Sequence, residues 1–394
     1  MIINTYPHTF QAQNVIDGRG IMAVEVKLLS RADRKAFIRF PWTVYKDDPK
    51  WVPHLLIERS EFLDPSKNPF FDHAEVAYFG AYKDGVMIGR IAAIVNHAHN
   101  QFHQDHVGFF GLFECKNDLE AAHALFSATA DFLKSKGMTT MRGPMNVSTN
   151  DECGLLIDGF DEPAVVMMTY NPTYYIDLLE NTGFVKSKDL WAHKIDHPTA
   201  IPERLKRGID LILKRNEFTI RTINMKDFNG EVRKIRDIYN SAWEKNWGFV
   251  PMTDAEFDHL GKQMKQILDP EFLFIAEHKG RPVGFSLTIP NINDALIHIK
   301  NGRLLPFGIF KLLWHTRKSA VKSLRVLTLG ITKEHRSSGM DVVFYYKTYE
   351  AAVKRGIQWA EMSWILEDNT PMNRALERMG AKVYKKYRIY DKPI

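Results

Sequence analysis

The chain has 394 residues, 45% of them hydrophobic and 25% charged, with a formal net charge of +6. That balance excludes a disordered chain, and the length exceeds what one ordinary core serves, so two domains are expected. No apolar run reaches the roughly 20 residues of a membrane-spanning helix, and the two cysteines, Cys115 and Cys153, read as free thiols of a reducing, cytoplasmic compartment.

Residues 1–21 are expected to form an N-terminal extension. Val24 to Leu29 then reads as a short strand, and Arg31 to Tyr45 as helical. Ala77 to Gly89 is strand, Gly turn, strand: a β-hairpin. A strand from Val107 to Cys115, an amphipathic helix from Asp118 to Lys136 and a strand from Met138 to Met141 follow. A helix ending in Leu179-x-x-x-Gly183, whose Gly suits a left-handed C-cap, precedes a last strand.

The same order then recurs. Phe218 to Ile223 is a strand and Asp227 to about Lys245 a helix. The hairpin from Phe272 to Gly284 puts Phe274, Ala276, Gly280 and Gly284 in the places of Phe79, Ala81, Gly85 and Gly89, each 195 residues later. A strand from Leu324 to Ile331, a helix from Asp341 to Arg355, a strand from Gln358 to Ile365 and a helix ending in Leu376-x-x-x-Gly380 complete the repeat. Each half reads βα-βββ-α-β-α-β. The expected domains are 22–197 and 218–394. A connector, 198–217, joins them, in which Pro198, Thr199 and Pro202 open a basic amphipathic helix from Glu203 to Arg215. From Asn301 to Ile394 there are 18 Lys and Arg against 8 Asp and Glu, a local positive field suited to an anionic ligand or to a solvated surface.

Between Leu329 and Asp341 a strand ends, a polar turn follows and a helix begins. Successive N–H groups at such a turn, together with the helix dipole, make an anion cradle, and Gly339 lets the main chain approach a pyrophosphate. Arg336-x-x-Gly339 after a strand resembles the Arg/Gln-x-x-Gly-x-Gly/Ala loop of the GNAT (GCN5-related N-acetyltransferase) superfamily. That resemblance implies two tandem GNAT-like α/β (α+β, mixed-sheet) acyl-CoA N-acyltransferase domains, with acetyl-CoA or another acyl-CoA as cosubstrate. It implies that Ile331, five residues before the Arg, offers its N–H to the thioester carbonyl. Lys333, Arg336, Ser337, Ser338, Gly339, Met340 and Asp341 would surround the pyrophosphate, and Asn369, eleven before Gly380, would border the CoA arm. From Val24 onward the chain is also similar to the YghO-like tandem-GNAT proteins, through Asn68-Pro-Phe-Phe71, Met141-Arg-Gly-Pro144, Ser148 to Gly154 and Asn301 to Phe307.

Two positions depart from the superfamily pattern. Asp341 stands where Gly or Ala is usual and is read as a helix-capping carboxylate. Leu376 stands four before Gly380, where many GNAT enzymes carry the Tyr that protonates the leaving thiolate. In the first half, Lys116-Asn-Asp-Leu-Glu120 lacks the Arg/Gln-x-x-Gly pattern and places carboxylates at the would-be phosphate. That half is expected to be a non-catalytic copy that shapes a cleft or binds the acceptor.

Other residues carry candidate chemistry. Asn150, Asp151 and Glu152, in the polar stretch Asn146 to Gly154, suit an amine or hydroxyl acceptor, or a turn that satisfies its own backbone. Asn240, Trp243 and Trp247 would form the acceptor wall by the same resemblance, or simply core. Glu361 and Ser363, two apart on a strand, share one face and are candidates for acid–base work. His97, His99, His103 and His106 are expected in a hairpin loop; their spacing fits no standard zinc pattern, so no metal is expected. Leu304 to Trp314 is apolar with basic flanks and either packs over its own domain, lies on a membrane surface or gates an acyl chain.

Three functions remain open at this level. One is transfer of an acyl group from acyl-CoA to the amine of a small-molecule or peptide acceptor. Another is Fem-like transfer from aminoacyl-tRNA, which the basic C-terminal third permits although no RNA-binding module stands out. The third is a non-catalytic acyl-CoA-binding pseudoenzyme. DNA is not an expected partner.

Overall fold

The computed structural model describes residues 24–196, 203–243, 246–317 and 320–394. The expected extension 1–21 and the Pro198–Pro202 start of the connector lie outside the described residues.

The first half runs β1 (Glu25–Leu28), three short helices α1 (Arg34–Arg39), α2 (Pro41–Val44) and α3 (Leu56–Phe62), and the hairpin β2 (Ala74–Lys83) and β3 (Val86–Asn96). Next come α4 (His97–His103), β4 (Val107–Cys115), α5 (Leu119–Ser135) and β5 (Thr140–Gly143). Short strands β6 (Met145–Asn146), β7 (Glu152–Cys153) and β8 (Leu155–Asp158) precede α6 (Tyr175–Glu180) and β9 (Val185–Asp196). The second half follows α7 (Glu203–Arg215) with β10 (Phe218–Thr222), α8 (Phe228–Trp243), α9 (Asp254–Met264), and the hairpin β11 (Leu273–His278) and β12 (Arg281–Pro290). It continues through α10 (Asn293–Leu296), α11 (Gly308–Thr316), β13 (Ser323–Ile331), α12 (Met340–Arg355), β14 (Trp359–Leu366), α13 (Thr370–Arg378) and β15 (Lys382–Pro393).

The repeat is visible in the backbone itself. Each hairpin turns through two consecutive left-handed residues, Asp84 and Gly85 at φ 52° and 74°, and Lys279 and Gly280 at φ 50° and 75°. This turn matches the twist of paired strands. The registers also coincide: Gly89 faces Cys115 where Gly284 faces Ile331. The histidine-rich segment departs from expectation, because Asn96 caps the His99 amide and His97–His103 winds into α4 rather than a hairpin loop.

One sheet crosses the whole molecule in the order β1-β2-β3-β4-β5-β15-β9-β14-β13-β12-β11-β10. The last strand of each half sits in the other half. β15 pairs with β5 through Tyr390 opposite Gly143, while β9 pairs with β14 through Trp359 opposite Asp196. The two exchanged strands then pair with each other along nearly their full lengths, Lys382 to Asp391 against Lys194 to Val185. Even the buried charge of β15 is satisfied across the exchange: Lys385 donates to the carbonyls of Gly159 and Glu162 at 2.5 and 2.7 Å. Amphipathic helices cover the sheet. In α5 the buried residues Ala121, Ala122, Leu125, Phe126, Thr129 and Leu133 recur at three- and four-residue spacing and join a core with Phe110, Phe113 and Phe184.

Candidate functional site

In the second half β13 and β14 pair in parallel only from Ser323 and Trp359 to Val326 and Met362. Beyond that they part. β14 turns to β9 across a register break between Met362 and Ile365, and β13 stays with β12 across a break at Leu287 and Thr288. Thr332 N–H donates to Val283 O at 2.9 Å. In an antiparallel ladder the residues that point to one neighbour alternate with those that point away. The amides of Ile331 and Leu329 therefore face the gap. A cavity of about 340 Å³ occupies it, lined by Thr328, Leu329, Tyr345, Ser363, Trp364 and Asn369 among others. Its wall reaches Leu329, whereas the Ile331 side chain is buried with Phe274 and Phe344. Of the two, Leu329 is the residue in the cavity wall, two before the one the superfamily pattern suggests.

The loop beyond is partly wound. Lys333–Ser338 forms a 3-10 helix rather than an open turn, which returns its later amides to its own carbonyls. Gly339, at φ 79°, then begins α12 with no side-chain cap. The open donors are therefore those of the first turn of α12, from Met340 and Asp341 onward. Arg336 donates to the Ala242 carbonyl at 2.8 Å at the end of α8, and the Ser338 hydroxyl donates to His335 O at 2.6 Å. Both side chains anchor the loop. Lys333 and Ser337 are exposed on it, and Met340 is fully buried. Asn369 caps α13 by accepting from Met372 N–H at 3.4 Å while lining the cavity.

The first half has the same strands and a closed gap. Cys115 N–H, the counterpart of the Ile331 amide, is taken up within the protein because it donates to the Tyr175 hydroxyl oxygen at 2.8 Å. Leu112 N–H is held by Asn146 Oδ1 at 2.8 Å. The chain from Gly143 to Asn146 fills the space: a Cβ at Gly111 would overlap the Met145 carbonyl, and one at Gly143 the Phe110 carbonyl. At the start of α5 the Asp118 carboxylate accepts the Ala121 amide at 3.0 Å, so the helix N-terminus is already occupied by an anion.

A second cavity, of about 490 Å³, lies instead beneath the other side of the first half. Trp51, Leu112, Phe113 and Leu296 give it apolar walls, and Arg90, Tyr45 and Glu114 a polar patch. The Glu114 carboxylate accepts from the Tyr45 and Tyr175 hydroxyls at 2.8 Å each, and burial, opposed by Arg90, pushes it up to about 6. Both volumes fall in the range of small-molecule sites. The cavities share Asp151, Met167, Leu260 and Met264 as walls.

Asp151 is the notable group at that junction. Burial pushes its carboxyl up to about 8 against the pull of Arg59, and neighbouring Glu152 adds to the rise. Among the described residues no hydrogen bond to this carboxylate is present, so it faces cavity space. Burial also raises Glu152, but His54 and Arg59, each 3.7 Å away, outweigh it and hold Glu152 below the usual carboxylate range. Asn150 lines the first cavity and is held by Tyr239, whose hydroxyl donates to Asn150 Oδ1 at 3.0 Å.

Glu361 does not line the cavity. It is fully buried behind the wall, where the Ser363 hydroxyl donates to it at 2.5 Å and the Tyr384 hydroxyl also donates to it. Burial raises its carboxyl, opposed by Arg325. Both of its oxygens are thus engaged within the protein. Ser363 does line the cavity, fixed by Glu361 and by Arg325 Nε at 3.2 Å. Trp247 lines the same cavity under the Arg142 guanidinium. Asn240 points a buried Oδ1 that has no partner among the described residues, and the Trp243 side chain lies outside the described residues. Cys115 and Cys153 are buried free thiols, both pushed up to about 12 by burial. The His99 and His103 rings lie 4.4 Å apart, tilted by 40°, and among the described residues no group of three metal-binding side chains is present.

Sequence reasoning missed Tyr345. It lies on α12, its hydroxyl donates to Met372 Sδ at 3.0 Å, and it lines the cavity beside α13, the helix that lacks the expected Tyr. The second cavity left no sequence signal, since its walls come from segments more than 200 residues apart.

No family model matches the chain. It is 39% identical over 391 residues to protein YghO of Escherichia coli (strain K12), covering 98% of each chain. It is 37% identical over 372 residues to the bacterial ceramide synthase of Caulobacter vibrioides, covering 92% of this chain and 95% of that one. A tandem GNAT protein from the clavulanic acid biosynthesis pathway superposes with a TM-score of 0.56 at 10% identity, over 94% of this chain and 98% of that one. A GCN5-related N-acetyltransferase from Sphaerobacter thermophilus does so with a TM-score of 0.50 at 15% identity, over 94% and 95%.

Proposed function

Since the chain belongs to the family of protein YghO and the bacterial ceramide synthase, built on the tandem GNAT fold, we propose that it transfers an acyl group from acyl-CoA to the amine of a long-chain acceptor. The observation that carries this reading is the pair of largely apolar cavities, each walled by both halves, that share a buried, pKa-raised Asp151 with no hydrogen-bond partner among the described residues. A ceramide is a fatty amide of a long-chain amino alcohol, so its synthesis needs two apolar chains brought head to head.

Acyl-CoA enters the gap between β13 and β14. Its pyrophosphate lies at the first turn of α12, where Gly339 leaves the amides uncapped. The thioester carbonyl accepts from the Leu329 N–H, which stabilises the charge that develops on oxygen. The acceptor approaches from the second cavity. Asp151 takes its ammonium proton, the nitrogen lone pair attacks the carbonyl carbon, and the C–N bond forms as the C–S bond breaks. Tyr345, whose hydroxyl donates to a thioether, a weak acceptor, gives its proton to the departing thiolate, and the second proton of the attacking nitrogen, released as the amide forms, returns to the Tyr345 phenolate. Most of the acceleration comes from positioning the two reactants.

The test is a transfer assay of the full chain with long-chain acyl-CoA and a long-chain amino alcohol, following thiol release and amide mass together. Amide formation with thiol release supports the reading. Tight CoA binding without amide favours the pseudoenzyme, and activity that needs aminoacyl-tRNA favours the Fem-like alternative.

A further inference from the structure

We propose that the segment from Arg303 to Arg317 docks the protein on a bilayer rich in anionic phospholipid, with the second cavity opening beneath it. Water exposure of large apolar side chains is concentrated there. Leu305, Phe307, Phe310, Leu313 and Trp314 are 76%, 73%, 67%, 62% and 64% exposed, while Gly308 is the only buried residue of α11. Phe310, Leu313 and Trp314 stand at i, i+3 and i+4 and share one helix face. So many adjacent exposed rings and leucines exceed the scattered apolar residues of an ordinary surface.

The face is held outward rather than loosely displayed. His315 of α11 stacks on His298 at 4.2 Å, Lys311 donates to the His298 carbonyl at 3.2 Å, and Trp42 Nε1 donates to Lys300 O at 2.7 Å. The first two tie α11 to His298, just after α10, and the third ties the stretch that leads into the segment to the first half.

Charge selects the partner. A groove beside the patch has Arg31, Arg34, Lys35, Arg39 and Arg303 in its wall and no carboxylate among its lining residues. Of these, Arg34 is paired with Asp64 at 3.3 Å. Lys311 and Arg317 continue the basic margin, with Arg317 over the Trp314 ring at 3.8 Å. Exposed aromatics and leucines rimmed by Lys and Arg are the chemistry of an interfacial helix on an anionic surface.

Continuity supplies the second argument. Ile57 and Leu304 line both this groove and the second cavity, so the groove beside the exposed patch adjoins the cavity across shared apolar walls. An acceptor with a long alkyl chain then passes from the bilayer to Asp151 without crossing water. This last step rests on the acyl-transfer reading; the docking itself does not.

Vesicle flotation of the full chain tests it, with phosphatidylcholine alone or with about one third phosphatidylglycerol. The expected result is an affinity at least about tenfold higher for the anionic vesicles, falling as salt rises. Phe310→Ser with Leu313→Ser and Trp314→Ser should abolish binding to both, and Arg31→Gln with Lys35→Gln should weaken only the anionic case. These side chains are exposed, and matched circular dichroism and melting curves check that the variants fold. The proposal is overturned if the chain ignores both vesicles or if the triple variant binds as the parent does. It is equally overturned if gel filtration shows a dimer that the triple variant dissolves, since a second copy then covers the patch. None of these readouts involves acyl transfer. Short-chain acyl transfer in free solution, unchanged in the triple variant, separates loss of docking from failure of the catalytic reading.

Discussion

The two halves carry the same hairpin, the same register and the same parting of a parallel strand pair, yet only the second keeps the gap open. In the first, Tyr175 and Asn146 occupy the amides of Cys115 and Leu112, the main chain of Met145 fills the space, and Asp118 neutralises the helix N-terminus. In the second, the Leu329 amide faces a cavity and Gly339 leaves α12 uncapped. The lesson is that a fold supplies directed backbone donors, and function depends on whether the sequence satisfies them internally or leaves them for a ligand.

The largest expected effect breaks the comparison by separating the halves. Cutting the chain between residues 197 and 202 should leave neither 22–197 nor 218–394 folded alone, because each sheet contains the other's last strand. Co-expression should restore a complex. Circular dichroism with gel filtration decides it, and a cooperatively folding isolated half would show that the exchange is dispensable.

Asp151 sits where the halves meet. Replacing it with Asn should lower the transfer rate by roughly 10²- to 10⁴-fold with CoA affinity retained. A base must be ionised, so the parent rate should climb with pH and level off above about 8, and the variant should lose that climb. Stability runs the other way. Between the ordinary value of 3.8 and about 8 the folded chain holds a proton that the unfolded chain has released. The parent should therefore lose melting temperature relative to Asp151→Asn as pH rises through that window.

Two helix starts give a paired contrast. Gly339→Asp should weaken CoA binding at least about tenfold, by a carboxylate at the phosphate cradle, which is about 1.4 kcal/mol. Gly339→Asn controls for strain, since both residues tolerate the left-handed backbone. Asp118→Ala in the first half should instead cost about 1 kcal/mol of stability and leave CoA binding unchanged. Calorimetry and denaturation resolve the two. Tyr175→Phe, which strands the buried Cys115 N–H, should likewise cost about 1 kcal/mol or somewhat more of stability without altering CoA affinity.

Much of this was legible from residues alone. The order of strands and helices followed from local periodicity and from Gly85 and Gly280, because a two-residue left-handed turn fixes a hairpin by itself. The loop before α12 was recognisable from Arg336 and Gly339. Its anchoring was not, because Arg336 reaches the Ala242 carbonyl, 94 residues away in sequence. Glu361 looked accessible by strand alternation, but alternation does not reveal that Tyr384, on an exchanged strand, lies against it.

By itself the sequence determined the duplicated elements, the glycine that opens α12 without a side-chain cap and the carboxylate that occupies the start of α5 at Asp118. These are properties of neighbouring residues, set by hydrogen bonds and dihedral preferences within a few positions. Tertiary structure alone decided the exchange of β9 and β15, the closed and open gaps, and the placement of Asp151 between two cavities. Those outcomes depend on which buried donors and apolar surfaces, hundreds of residues apart, satisfy one another once the chain is compact.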